Sequence, residues 1–516
     1  MSNATPYAAD PQPANPSAPS HQTPPLLGGR GAKPDAVDEF EVIAEVERLY
    51  KSARDRRRNL ELEWARNLAY LEGRHWLKVD PGAKRLRGVE PLDDTLYSHT
   101  INHIRRVCLT VVNLSTQNKP DAQALPESNL ELDELAADEA DAVLGYTESR
   151  FAPLRLRSRA TYWALATGGG WRTVWWDEHE TAELQTPEGV VSDAFLGNVC
   201  AELVPTFELF IDPQADCWER ARWAIRETVR PVSWCRERWG KKAEEVQPDA
   251  RQVDGLMSYA APFFLDYRPD EQLKNGVRVL ELWEKPSPKF RQGRRVVIAG
   301  KRVMEYGGNP YANKANRRCL PFVPTYYQDA IGHPYGLPLI SDLIDPQDEY
   351  NRLWSKALSR IERAKAYIAI PEAAETSPKA LHSSRELEVV TYDPLGGVAQ
   401  PPYQIIPPPP MAGEIVPICQ ALQDQIESLA GARPVAQGQI PGQLSGLAID
   451  LLQQANNTQH NQLRENIEQA EAELGDWVVF LFAKLAGPAP RLLGLDPNNN
   501  PDGQAGGVRT LVALKK

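Results

Sequence analysis

The chain has 516 residues, 42% of them hydrophobic and 13 of them tryptophan, with 58 Lys or Arg against 69 Asp or Glu and a formal net charge of -11 at pH 7. That length exceeds one typical core and predicts several domains. The negative charge argues against a protein that coats nucleic acid generally, no apolar run approaches the ~18 residues of a membrane span, and no secretory signal pattern is expected at its start.

Residues 1–34 are rich in Pro, Ala, Ser and Gly and are expected to form a disordered tail. A long helix is predicted from about Asp35 to Gly73. Phe40, Ile43, Val46, Leu49, Tyr50, Leu60 and Trp64 mark its buried side, and Gly73 suits the position just past its end. Arg54, Arg56, Arg57 and Arg58 make a basic knot, read as exposed helix surface with phosphate or partner contact as the alternative. Two further helices are predicted, over about 96–118 and 129–166, the second stopped by Gly168, Gly169 and Gly170. A β-rich block follows in the runs WRTVWW, NVCAELVP, FELFID, RWAIRETV and VRVLELWEK, with RRVVIAGKRVMEY as a hairpin turning near Gly300.

The stretch from Pro321 to Ile370 begins as a strand, PFVPTYYQDA, and passes through a breaker-rich elbow, IGHPYGLPLISDLIDPQ. It then becomes a basic amphipathic helix, DEYNRLWSKALSRIERAKAYIAI. Asp345 is placed as its N-cap, Pro346 at the first helical position and Asp348 as a capping-box acid. Tyr350, Leu353, Trp354, Ala357, Leu358 and Ile361 fall on one side, and Arg352, Lys356, Arg360 and Arg363 form a stripe on another. The stripe reads as a solvated face or, more sharply, as a surface for DNA or a neighbouring subunit, with pairing to acids of an adjacent copy such as Glu349 or Glu362 the favoured of the two. Residues 371–411, with ELEVVTYD and a proline run from Pro407 to Pro410, read as a small β-containing insertion. Ile415, Ile418, Leu422, Ile426 and Leu429 mark the next helix, with Pro417 in its first turn and a stop at Gly431. The loop RPVAQGQIPGQLSG carries three glycines, two prolines and one charge. From Leu447 to Leu485 a long helix is predicted, whose amide-rich middle can hydrogen-bond a neighbouring helix.

Cys108, Cys200, Cys217, Cys235, Cys319 and Cys419 are scattered, without a C-x-x-C pair, and are expected to be reduced structural thiols. His99 and His103 lie four apart but lack the H-E-x-x-H pattern. No metal, cofactor or catalytic residue is expected.

Four segments carry a family resemblance: YLEGRHW, FELFIDPQADCWERARWAIRE, FVPTYYQDAIGHPYGLPLISDLIDPQDEYNRLWSKAL and LSGLAIDLLQQ. In order and spread, over roughly residues 40–485, the chain resembles the portal proteins of tailed bacteriophages, in the group with the short-tailed podoviruses. The resemblance implies an α+β portal fold: a disordered tail (1–34), a wing of helices plus a β-rich block (35–334), a stem helix (335–370), a small clip (371–411), a second stem helix (412–432), a tunnel loop (433–446), and a long wing helix with a short crown (447–516). It also implies a homo-oligomeric ring, usually a dodecamer, at one capsid vertex of the virion, assembled in the host cytoplasm. Double-stranded DNA would be packaged and ejected through its channel. The implied partners are the large terminase subunit, the major capsid and scaffolding proteins, and head–tail adaptor or tail proteins, with no membrane.

A channel for DNA must not hold DNA. The duplex carries one charge per ~1.7 Å, and each neutralised phosphate adds affinity. A neutral, yielding constriction fits sliding, so Gln437, Gly438, Gln439, Ile440, Gly442 and Gln443 are expected to touch the duplex weakly, with Gly446 adding freedom. A packaging ATPase would need G-x-x-x-x-G-K-[ST]. Gly300-Lys301 runs into Arg302 and Gly240-Lys241 into Lys242, so neither qualifies. A head–tail adaptor ring is the other alternative, but adaptors are usually much shorter and lack the stem–clip–stem order.

Overall fold

The computed structural model describes residues 39–80, 85–88, 98–116, 120, 122–186, 189–249, 275–314, 319–363, 366–371, 387–393, 404–406, 413, 415–432, 460–486, 491–492 and 510–511. Helix α1 (Glu39–Glu72) leads into a hairpin of β1 (Leu77–Asp80) and β2 (Arg85–Gly88), then α2 (His103–Thr116), α3 (Glu131–Phe151) and α4 (Leu156–Thr167). Next come β3 (Gly169–Asp177), β4 (Ala182–Thr186), β5 (Gly189–Ala194), β6 (Asn198–Val204), β7 (Leu209–Ile211), β8 (Trp223–Pro231) and α5 (Val232–Trp239). Strands β9 (Gly276–Glu284), β10 (Arg294–Ala299), β11 (Arg302–Gly307) and β12 (Phe322–Tyr326) precede α6 (Leu339–Arg363). The rest is β13 (Ala366–Pro371), β14 (Leu387–Tyr392), β15 (Gln404–Ile406), α7 (Ile415–Leu429), α8 (Asn461–Leu485), β16 (Arg491–Leu492) and β17 (Thr510–Leu511). The class is α+β, as expected. No described helix is long and apolar enough to cross a membrane.

The expected block of strands forms. Strands β7 to β11 make one antiparallel sheet in the order β11-β10-β9-β8-β7, and β3 lies between β12 and β6 in a second. The β10–β11 hairpin turns at Gly300 and Lys301, both at positive φ, which two-residue hairpin turns require. One face of the large sheet buries Phe210, Ile225, Leu280, Leu282 and Val296 against Val42, Val46, Tyr50 and Ala53 of α1. Other buried positions of the sheet hold paired charges: Arg226 bonds Glu202 and Glu208, and Arg295 lies between Glu281 (2.6 Å) and Glu305 (2.7 Å). Trp283 stacks on Tyr311 at 5.4 Å, and Tyr311 meets Trp477 of α8 edge-on. The largest core cluster runs from there through Trp171 and Phe322 to Leu343, Ile344 and Ile426.

Several expectations need correction, and the helix expected over about 96–118 begins only at His103, with residues 98–102 outside any helix. Phe40 is 79% exposed, because the apolar contact of α1 with the sheet begins at Val42. The helix expected over 129–166 is two helices. Pro153 sits in a 3-10 turn, Ala152–Leu154, and Arg155 turns the chain at φ 48°, because a proline ring clashes with a continuing helix. The basic knot is also not one surface. Arg57 is fully buried over the Phe210 ring at 3.5 Å. It pairs with Glu61 at 2.7 Å and donates to the carbonyls of Thr206 (3.2 Å), Phe207 (2.5 Å) and Leu209. Two of these carbonyls lie in the 3-10 turn Thr206–Glu208 and the third on Leu209, the first residue of β7, so one guanidinium fixes the entry to that strand. Arg56 beside it is exposed.

Two glycines set the approach to α6. A Cβ on Gly168, at φ +88°, would lie 2.3 Å from the Gly336 carbonyl oxygen. The α4–β3 corner therefore touches the elbow that precedes α6. Arg57→Met should lower unfolding free energy by about 3–5 kcal/mol, since it strands Glu61 and three carbonyls. Arg56→Ala should change it by no more than about 0.5 kcal/mol. Denaturant titration of both variants checks the contrast.

Candidate functional site

Helix α6 starts at Leu339, well before the expected Asp345. Leu339, Ile340, Leu343 and Ile344 are all buried in the main core. Their burial outweighs the roughly 3 kcal/mol that a proline costs inside a helix, so Pro346 sits within α6 rather than at its start. Asp348 caps nothing there. Its carboxylate accepts the Tyr70 hydroxyl at 2.7 and 2.9 Å. The helix ends at Arg363, short of the expected Ile370, and β13 takes over at Ala366.

The most buried positions along the middle of α6 are polar. Gln347, Asn351, Ser355 and Ser359 recur every four residues and are exposed by only 0%, 2%, 3% and 6%. An extended segment before α2 runs antiparallel along this stripe. His99 N–H donates to Ser355 Oγ at 3.0 Å, Ile101 N–H to Asn351 Oδ1 at 3.2 Å, and His103 N–H to Gln347 Oε1 at 3.0 Å. Gln347 Nε2 returns a bond to the Ile101 carbonyl at 2.8 Å. Four helical residues rise about 6 Å, and two extended residues advance about 6.6 Å, so the side chains match every second amide. The helix acts as the strand's hydrogen-bonding neighbour. Asn102 then caps α2, accepting from Arg105 N–H at 2.9 Å and donating to the Tyr70 and Leu71 carbonyls.

The end of α1 joins the same network. Gly73 closes α1 as expected, with Gly73 N–H on Tyr70 O and Arg74 N–H on Ala69 O, the paired bonds of a Schellman cap. The next residue but one, His75, donates from Nε2 to Tyr70 O at 2.9 Å and accepts from Asn351 Nδ2 at 2.8 Å on Nδ1. Its ring stacks on Tyr70 at 4.7 Å. Only the neutral imidazole satisfies both bonds. Burial, followed by the nearby positive charge of Arg105, holds its pKa down at about 4. One turn back, Asn67 donates to Ser341 Oγ at 3.0 Å, and Ser341 donates to Glu63 at 2.5 Å.

Helix α7 packs along α6 and is tied to α2 by the ion pair of Arg106 with Glu427. It ends at Gly431 as expected, with φ +64° and the same two-bond cap. His460, immediately before α8, donates from Nε2 to the Gly431 carbonyl at 3.1 Å. At the other end of the α6–α7 pair, β13 lies parallel to β14 and antiparallel to β15 in a three-stranded sheet.

The outer face of α6 carries the basic stripe. Arg352, Lys356 and Arg360 are exposed, and Arg352 pairs with Glu349 of its own helix. The Arg363 side chain lies outside the described residues. Of the expected apolar face, Tyr350 is buried, Leu353, Trp354, Ala357 and Leu358 are half-buried, and Ile361 is 52% exposed. Gln437, Gly438, Gln439, Ile440, Gly442 and Gln443 also lie outside the described residues. The buried polar stripe was missed in sequence. Its signal was four uncharged polar residues at helical spacing.

Asp177, Glu180 and Cys200 converge within 4.8 Å. Arg150 bonds Glu180 at 2.6 Å, and burial with the Glu180 charge pushes the Cys200 thiol up to about 12. Glu180 of this trio is already paired with Arg150, and the group reads as part of an ion-pair cluster.

A family model described as Phage P22-like portal protein matches residues 47–292 and 288–484 of the chain. No curated protein sequence matches it.

Asn351→Leu leaves the Ile101 amide and His75 unpaired and should cost about 2–5 kcal/mol of stability, read by thermal unfolding. A pH series checks the neutral imidazole. Its folded pKa lies below the unfolded 6.5, so its contribution is present above about pH 6.5 and is lost as pH falls towards about 4, by about 3 kcal/mol in all. His75→Gln should flatten the unfolding-versus-pH curve across that window.

Proposed function

This chain belongs to the phage P22-like portal protein family, and on that premise we propose that it forms a homo-oligomeric ring, a dodecamer, at one capsid vertex. Families of this kind are structural components of the virion, head–tail connectors used in genome packaging. Helix α6 is the outgoing stem, the β13–β15 sheet the clip, and α7 the returning stem. Helices α1 to α5, the larger sheets and α8 make the wing. The tunnel loop is assigned to residues 433–446, with Gln439 and Gln443 meeting the duplex. The ring would serve DNA packaging and ejection and dock the large terminase subunit, the capsid and scaffolding proteins, and the adaptor or tail proteins.

The observation that carries this reading is the anatomy of the α6–α7 pair. Its base is locked to α1 and α2 by the polar ladder, its far end carries a small sheet, and its outer face shows exposed cations. A pair whose polar anchoring, among the described residues, lies towards its base fits a shaft that must stand beside identical shafts.

The stripe is assigned to the channel side. Glu349 already neutralises Arg352 within the helix. Among the described residues of the exposed face of α7, the one acid is Asp424, too few for a lateral seam of ion pairs. Lys356 and Arg360 of each subunit then face the duplex, and their contact with phosphate is salt-dependent.

Two measurements test the assignment. Lys356→Glu with Arg360→Glu should leave ring assembly intact and change DNA retention in filled particles. Loss of rings would instead place the stripe between subunits. Gln439→Lys with Gln443→Lys should slow packaging, and unchanged packaging and retention would remove the loop from the channel wall.

A further inference from the structure

Ile331 is the most exposed large apolar side chain among the described residues, at 102%. It stands at the tip of the loop between β12 and α6, and that loop is stiff at its base. Leu337 N–H donates to Gln328 O at 2.8 Å, and the Tyr326 hydroxyl donates to Pro334 O at 2.9 Å. An isoleucine held out into water on a braced loop is pre-organised for contact.

The matching hole lies elsewhere on the same chain. A cleft of about 250 Å³ opens between α3, α4 and α8, with apolar walls from Leu144, Phe151, Leu156, Leu474 and Val478. Its inner end is closed by Arg172 and Arg157 on Glu471, at 2.6 and 3.1 Å. Its mouth carries Arg155, which is exposed and has no ion-pair partner among the described residues.

Helix α8 fixes how knob and hole are related. Glu471, Leu474, Gly475 and Val478 line the apolar cleft. Asn466, Gln469, Ala470 and Glu473 line a second cleft, whose other walls include Asp329, Ala330 and His333 from the Ile331 loop. At 3.6 residues per turn, the two sets of residues point about 140° apart around α8. The Ile331 loop and the apolar cleft therefore lie on different sides of α8. That is the arrangement a heterologous contact needs, in which each copy gives one face and receives with another, and such a contact makes a ring when the rotation between copies closes.

We infer that Ile331 of one copy seats in the apolar cleft of a second copy, with Asp329 facing Arg155 across the joint. The charges match: Asp329 is exposed two residues before Ile331, and Arg155 is the open cation at the mouth. This inference rests on the ring reading and names one of the lateral contacts that ring would use.

The test is a full-length Ile331→Cys/Ala152→Cys double variant, since Ala152 is exposed on the lining of the cleft. Oxidation should yield a ladder of covalent multimers on a denaturing gel, absent from either single variant, which controls for the natural cysteines. In the parent chain, Ile331→Asp should raise the protein concentration needed for assembly by about tenfold or more. Asp329→Arg should weaken assembly, and adding Arg155→Asp should restore it. Rings seen by electron microscopy with no ladder and no effect of Ile331→Asp overturn this contact and leave the ring standing. A chain that stays monomeric at every concentration overturns the ring, and this contact with it. A cleft filled by another protein or by the chain's own N-terminal residues would give rings without the ladder, which also counts against the inference.

Discussion

The structure depends on one geometric coincidence, that four residues of helix advance nearly as far as two residues of extended chain. Gln347, Asn351 and Ser355 use it to satisfy every second amide from His99 to His103, the first residue of α2. Those amides have no strand beside them. With an apolar stripe on α6, the buried His103 amide would stand unpaired at about 1–3 kcal/mol, and the part-buried amides of His99 and Ile101 would lose their partners. The polar stripe removes that penalty and fixes the axial position of α6, because a slip by one residue would break every rung.

From this ladder the fastening spreads both ways. Asn351 reaches His75, His75 stacks on Tyr70, and Tyr70 holds Asp348, so the end of α1 and two successive turns of α6 are bound as one body. Asn102 adds the start of α2, and Arg106 with Glu427 adds α7. Because the anchoring is concentrated on one side and one end, the outer face of α6 is left free to carry Lys356 and Arg360. Its apolar positions beyond Tyr350 stay half-covered within a single chain, as the proposed ring would require of a helix packed against a second copy.

Much of the fold was legible in sequence where a single residue type enforces a local geometry. Gly73 and Gly431 end their helices with positive φ, and the hairpin at Gly300 turns where the pattern breaks. The strands of the β-rich block follow their β-branched and aromatic runs. The errors share a cause, in that tertiary packing overrode a local preference. Pro346 reads as a helix start until the burial of Leu343 and Ile344 carries the helix past it. Arg57 reads as surface because nothing local shows the three carbonyls that converge on it. The polar ladder was hidden for the same reason: a stripe of Gln, Asn and Ser looks like a solvated face until a distant segment lies down on it. Of the expected contact residues, Arg352, Lys356 and Arg360, read as facing DNA or a neighbouring subunit, are found on the surface of α6, while those from Gln437 to Gln443, read as facing DNA, lie outside the described residues.

The most direct measurement is amide hydrogen exchange in the segment before α2, resolved to single residues. The ladder predicts that Ile101 and His103 exchange as slowly as amides in the middle of α2, although Ile101 belongs to no helix or strand. Exchange of both at the rate of an open loop would mean that α6 is not fastened there, and the account of how this helix is held would fail.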